Sequence, residues 1–398
     1  MKIHCTKQFV RAAALLAAII YGGNILAQAQ SCTATWTGNA GDGNWSNAAN
    51  WSPAKVPGST SNVCIPTFTT ADGAGLNGSA SSVSVHSIQV AEGGSLLFGS
   101  GKVSIATSLT SPGFVTLFGT TLSAASIDLS PQGEIDIYDN SSITSPAFSN
   151  ATGTVSVGSG GTLRLSDDPV QLQGGILSGG SWLVAGVLIV PSDISQITTQ
   201  GTVVDVDGIG SVVQDASGNN ALATLTSVGP GAVLALFDSA SLTVNQALTS
   251  QGVIDVSGSL TVSGTYTQET GASTNMGGSL TATLVSVQPK STLGGNGTVA
   301  SSVRNNGIVA PQGSLTVTGS YTQTSGGALT EQFGSTLHVN SNATLAGALN
   351  VTINPKRPPK SGQSYTALTF GSLTGSFTTH TTGYTLTTNA NSITVTKQ

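Results

Sequence analysis

Short runs of alternating apolar and polar residues recur along the chain, and most of them open on a glycine. Gly113-Phe-Val-Thr-Leu, Gly133-Glu-Ile-Asp-Ile and Gly153-Thr-Val-Ser-Val are evenly spaced. Gly94-Ser-Leu-Leu-Phe precedes them at nearly the same interval, and Gly201-Thr-Val-Val-Asp, Gly231-Ala-Val-Leu-Ala and Gly252-Val-Ile-Asp-Val follow at wider spacing. In several units a second short strand lies about half an interval further on, as in Leu163-Arg-Leu, Leu242-Thr-Val and Leu260-Thr-Val. A longer echo carries Gly258-Ser-Leu-Thr-Val-Ser-Gly-Thr-Tyr-Thr-Gln into Gly313-Ser-Leu-Thr-Val-Thr-Gly-Ser-Tyr-Thr-Gln.

Alternation with period two places Val, Leu and Ile on one side of each strand and Ser, Thr or Asp on the other, so each strand has one face to bury. No single unit can bury it alone. A repeat of about 20 residues predicts coils stacked so that each covers the next and completes its backbone hydrogen bonds, with Gly, Asn and Ser-Gly steps at the corners. The expected fold is all-β: a right-handed parallel β-helix, or solenoid, with coils over 67–345. Tandem β-sandwiches compete, since they also space strands by about 8–12 residues. Low aromatic content, 5 %, and the longer repeat favour the β-helix.

Composition changes this picture little but narrows the setting. Charged residues make up 7 %, against about 25 % in an ordinary domain, and Gly reaches 51. Residues 1–29 read as a secretory leader: basic Lys2, Lys7 and Arg11, apolar 12–20, then Ala27-Gln28-Ala29 as a cleavage site. The mature chain is expected to be exported to the periplasm, cell surface or exterior, with no integral membrane segment. The 12 Lys and Arg, less the three of the leader, leave 9 against 17 acids, a formal charge of −8. That balance disfavours nucleic acid as a partner, because phosphate neutralisation needs basic residues. Cys5 leaves with the leader, and Cys32 and Cys64 remain as one candidate disulfide for an oxidising compartment. The alternative is two buried thiols, and thiol titration of the unfolded, unreduced protein separates the two.

Both ends carry more specific motifs. Three of the four tryptophans, Trp36, Trp45 and Trp51, fall in Trp36-Thr-Gly-Asn-Ala-Gly-Asp-Gly-Asn-Trp45-Ser-Asn-Ala-Ala-Asn-Trp51, followed by Pro53, Val56-Pro57-Gly58 and Asn62-Val63-Cys64-Ile65-Pro66. The segment resembles the opening motif of bacterial exported β-helix proteins related to autotransporter passengers and their autotransporter-associated β-strand repeats. Leu315-Thr-Val-Thr-Gly-Ser-Tyr321, Ala343-Thr-Leu-Ala-Gly-Ala-Leu and Gly362-Gln-Ser-Tyr365 through Phe377 resemble the closing region of the same group. The matched motifs cover about a third of the chain. The resemblance implies an N-terminal Trp-rich cap over 30–66 and a C-terminal β-strand cap over 346–398. A solenoid needs such caps to cover its exposed strand edges; a sugar-stacking platform is the functional alternative for the tryptophans. A full autotransporter would add a membrane barrel, and none is expected from the residues after the coils.

Catalysis finds weaker support. Hydrolysis of a glycosidic bond needs two placed carboxylates, and three groups qualify by spacing: Asp205 with Asp207, Glu134 with Asp136 and Asp139 nearby, and Asp167 with Asp168. Asp167-Asp168 resembles the paired aspartates of pectin hydrolases, yet that family's Gly-His-Gly, Arg-x-Lys and Asn-x-Asp are missing. Lys102, Arg164, Lys290 and Arg304 are too scattered for a lyase base. Asp205, Asp207 and Asp215 offer hard oxygen ligands, making calcium the one cofactor to consider. His86, His338 and His380 have no zinc-like spacing. The expectation is a non-enzymatic, surface-associated structural or adhesin-like protein, whose hydroxyl-rich face makes weak multivalent contact with glycans or cell-surface components. A carbohydrate-active hydrolase or lyase, or a glycan-binding module without turnover, is the alternative.

Overall fold

The computed structural model describes residues 31–67 and 82–398. The leader assigned to residues 1–29 lies outside them. The fold is an all-β parallel solenoid of about 14 turns, and its residues divide into two compact units.

In the first unit, one face stacks Ser95–Phe98, Phe114–Phe118, Glu134–Tyr138, Thr154–Val157 and Ser181–Val184 in parallel, residue for residue. The glycine-led repeat is the length of one coil here: Ile135 pairs with Val155. A second face runs Ala34–Trp36, Asn62–Ile65, Ser87–Val90, Gly101–Thr110 and Thr120–Asp128. The alternation read from the sequence appears directly in the burial. Val115, Leu117, Ile135, Ile137 and Val155 are fully buried, while the residues between them face outward.

In the second unit three faces recur coil after coil. Val233–Phe237 begins a ladder through Val253–Val256 and Ser273–Met276 to Ala348–Thr352. Leu248–Ser250, Thr265–Gln268, Leu284–Val287, Val303–Asn305 and Tyr321–Gln323 form another. Ser241–Val244, Ser259–Val262 and Ser279–Thr281 start the third, stacking Leu242, Leu260 and Leu280 inside. The long echo between Gly258 and Gly313 has a simple origin. Tyr266 is followed in register by Val285, Val303 and then Tyr321, so the echo spans three coils. Both tyrosines are fully buried, and their hydroxyls are satisfied there. Tyr266 Oη lies 2.5 Å from Thr274 Oγ1, while Tyr321 donates to Gln323 Oε1 at 2.7 Å and accepts from Asn305 Nδ2 at 2.9 Å.

Parallel pairing already includes Ala34–Trp36, inside the stretch assigned to the N-terminal cap. It also continues past 345, through Ala348–Thr352 with Thr379–His380 and Asn342–Leu345 with Ser372–Gly375. The chain then closes on antiparallel pairing, where Ser392–Lys397 lies between Ser364–Thr369 and Tyr384–Thr388. Among the described residues no helix is long and apolar enough to cross a membrane.

Gly201 and Gly231 have the left-handed backbone of a corner, φ 89° and 72°, but the evenly spaced opening glycines play another role. A Cβ on Gly133 would lie 1.7 Å from the Ser111 carbonyl oxygen, and one on Gly153 would lie 2.6 Å from that of Gly133. These positions are reserved for glycine by the closeness of the coils and not by a left-handed backbone. Gly133→Ala is therefore expected to destabilise by about 2 kcal/mol or more, a cost typical of overpacking. Gly58→Ala, where a Cβ meets nothing within 4 Å, should stay within about 0.5 kcal/mol in the same urea titration.

Candidate functional site

The tryptophans assigned to the N-terminal segment are packed inward. Trp36, Trp45 and Trp51 are 1–3 % exposed. Trp51 sits edge-on to Trp36 and Trp45 with centroids 5.0 and 4.8 Å away, and Trp45 meets Phe98 of the first coil at 5.8 Å. Trp51 Nε1 donates to the Trp45 carbonyl. The glycine-rich loop between them is gathered by Asp42, whose carboxylate accepts from Asn47 Nδ2, Asn44 N and Asn50 Nδ2. Those bonds, the Asn47 one foremost, hold its pKa below the usual carboxylate value. Rings this deeply covered cannot stack on a sugar. Cys32 and Cys64 are joined by a disulfide that ties this segment together across 32 residues of sequence.

The acids separate into different environments. Asp205 and Asp207 lie two apart on one strand, both half-buried. The Asp215 carboxylate closes its own loop, accepting from Ser217 N, Asn219 N and Asn219 Nδ2 at 2.8–2.9 Å, and the Asn219 side chain foremost lowers its pKa. Among the described residues no three His, Cys, Asp or Glu side chains come together as a metal site. The calcium site suggested for Asp205, Asp207 and Asp215 is thus not assembled, because Asp215 is spent on its turn. Asp168 accepts from Ser192 N at 3.0 Å. His338 Nδ1 meets Thr369 Oγ1 of the paired strand at 2.9 Å, and His380 Nε2 meets the nearby Tyr384 carbonyl at 3.1 Å.

Glu134 and Asp136 are differently placed. They alternate outward on Glu134–Tyr138, in register with Phe114 and Thr116, while Tyr138 is in register with Phe118. Phe118 and Tyr138 stack with centroids 5.1 Å apart and planes 15° from parallel. Phe114 and Phe118 are 48 % and 36 % exposed, which sets them apart from the buried core aromatics. Sequence reading marked the two acids but not the rings beside them. The available signal was the outward phase of Phe118 and Tyr138 relative to the buried positions, one coil apart.

The second unit carries two files of hydroxyl residues that are outward except at Ser286, which is buried. Thr249, Thr267, Ser286, Arg304, Thr322, Thr344 and Thr374 occupy one register column. Ser241, Ser259, Ser279, Thr298 and Thr316 occupy another on a neighbouring ladder. Neighbouring strands in a sheet stand about 4.8 Å apart, so each file repeats at that interval.

No protein-family model, curated protein or solved structure matches the chain.

One buried acid escaped notice in the sequence because its neighbours read as ordinary polar residues. Glu331 is fully buried, and Tyr365 donates to its Oε2 at 3.3 Å. Burial raises its pKa well above the ordinary value of 4.5, opposed by the Tyr365 hydroxyl and a backbone hydrogen bond. The folded state then holds a proton that the unfolded state releases, so stability is complete below about pH 4.5 and falls as pH rises toward the folded pKa. Urea midpoints across this range should decline for the wild type. In Glu331→Gln that part of the decline should vanish.

Proposed function

We propose that the protein is an exported, surface-associated scaffold of adhesin-like character, which meets glycans or other cell-surface components through many weak contacts. The supporting observation is the hydroxyl file of the second unit, from Thr249 to Thr374, interrupted by Arg304 and by the buried Ser286. A ladder of donors and acceptors repeated at every coil suits a partner that is itself a repeating polyol. Each contact is weak, and their linkage on one rigid backbone supplies avidity. In this reading the coils are right-handed, the buried Trp36, Trp45 and Trp51 cluster closes the N-terminal strand edge, and the antiparallel strands after Ser364 close the other. The motifs resembling autotransporter-related β-helix proteins agree with it. So does the leader-like sequence of residues 1–29.

A polysaccharide hydrolase or lyase is the competing reading, and it draws on Glu134 and Asp136. Incubation with a polysaccharide panel separates the two: released reducing ends or unsaturated products would contradict a non-enzymatic scaffold. Replacing Thr249, Thr267, Thr322 and Thr344 by Val keeps shape and strand preference while removing the hydroxyls. Retention on a densely glycan-coated surface should then fall by roughly tenfold or more through lost avidity, with the circular-dichroism spectrum unchanged.

A further inference from the structure

We propose that the outward grid formed by Phe114, Thr116, Phe118, Glu134, Asp136 and Tyr138 is a discrete binding subsite for a neutral pyranose unit of a glycan. The proposal rests on the glycan-contact reading and gives it a location in the first unit, on strands that carry none of the hydroxyl files. Two adjacent strands set the grid: Phe114, Thr116 and Phe118 on one stand in register with Glu134, Asp136 and Tyr138 on the other. Successive outward positions on a strand are about 6.6 Å apart and the strands about 4.8 Å apart, so the six side chains cover an area comparable to one or two sugar rings.

The rings are held for stacking. Tyr138 packs onto the next coil at Gly158, where a Cβ would come 2.3 Å from Tyr138 Cδ1. Its other side meets Phe118 at 5.1 Å. The register of Phe98 with Leu117 sets Gly99 beside Phe118 on the preceding coil. A Cβ built on Gly99 would meet nothing nearer than Leu97 Cδ2 at 4.0 Å. Phe118, 36 % exposed, therefore neighbours a position with no side chain of its own, next to Leu97. The C–H face of a pyranose matches such a ring in shape and polarity.

Charge selects among ligands. The carboxylates of Glu134 and Asp136 offer acceptors only, so they favour a ligand rich in hydroxyl donors. They repel uronates, sulfates and phosphates, as does a whole-chain formal charge of −5. A neutral glycan satisfies both halves of the grid, apolar face on the rings and hydroxyls on the acids.

Affinity electrophoresis through gels containing a neutral glucan, mannan or galactan, or a polyuronate, tests the assignment with the mature chain. The wild type should be retarded by at least one neutral polymer and not by the polyuronate. Phe118→Thr, which keeps an outward strand residue like its neighbour Thr116, should weaken that retardation tenfold or more. Phe118→Trp should retain it, and Glu134→Gln with Asp136→Asn should weaken it in part. Retardation of Phe118→Thr equal to wild type, with loss only in the four-threonine valine variant, would overturn the subsite and leave the glycan reading standing. Preference for the polyuronate would overturn the charge argument. No retardation of the wild type by any polymer would overturn both.

Discussion

Everything in this molecule follows from how closely one coil lies on the next. Parallel ladders bring backbones within hydrogen-bonding distance along every face, and at Gly113, Gly133 and Gly153 the approach leaves no room for a single methyl group. Thr154 N reaches the Gly133 carbonyl at 2.8 Å and Glu134 N reaches that of Gly113 at 3.0 Å. The glycine-led repeat is the sequence record of that contact. Once it is made, the period-two alternation has one consequence on each side: aliphatic stacks such as Leu242, Leu260 and Leu280 within, and columns of like residues without.

This explains why the interior can hold polar groups. A column that recurs at each coil lets an amide or hydroxyl find its partner one or two coils away. Gln323 Nε2 donates to the carbonyls of Ala346 and Ala348 at 2.8 and 2.9 Å, and Asn305 Nδ2 to that of Ala328 at 2.9 Å. Buried amides so satisfied stabilise the stacking, whereas an unpaired one would oppose it. Glu331 is one exception, since burial is offset only in part by the Tyr365 hydroxyl, and Asn150 Oδ1 and Gln268 Oε1 are buried without a hydrogen-bond partner as well. The same columnar logic acts outside, turning isolated Ser, Thr, Phe and Tyr residues into files and stacks.

Much of this was legible because the governing signals are local. Alternation in Glu134-Ile-Asp-Ile-Tyr138 and the even spacing of Gly113, Gly133 and Gly153 identify both the strand and its neighbour without knowledge of the fold. The echo of Gly258 onward in Gly313 onward likewise identifies coils in register three turns apart. What stayed hidden depends on contacts between turns that no periodicity records. Asp205, Asp207 and Asp215 look like a ligand set in sequence, yet Asp215 is committed to Ser217 and Asn219. The tryptophans, read as a cap with a sugar platform as the alternative, are buried, while Phe118 and Tyr138 face outward through their phase in the alternation. Corner glycines and contact glycines look alike in sequence, and only the position of the neighbouring carbonyl tells them apart.

The central claim, in-register parallel stacking of successive coils, is tested most directly by backbone nuclear Overhauser contacts in isotopically labelled protein. The structure predicts cross-strand contacts in the parallel pattern between Ile135 and Val155 and between Leu260 and Leu280. Antiparallel contacts joining successive strands as hairpins through these segments, with no contact within either pair, would contradict it.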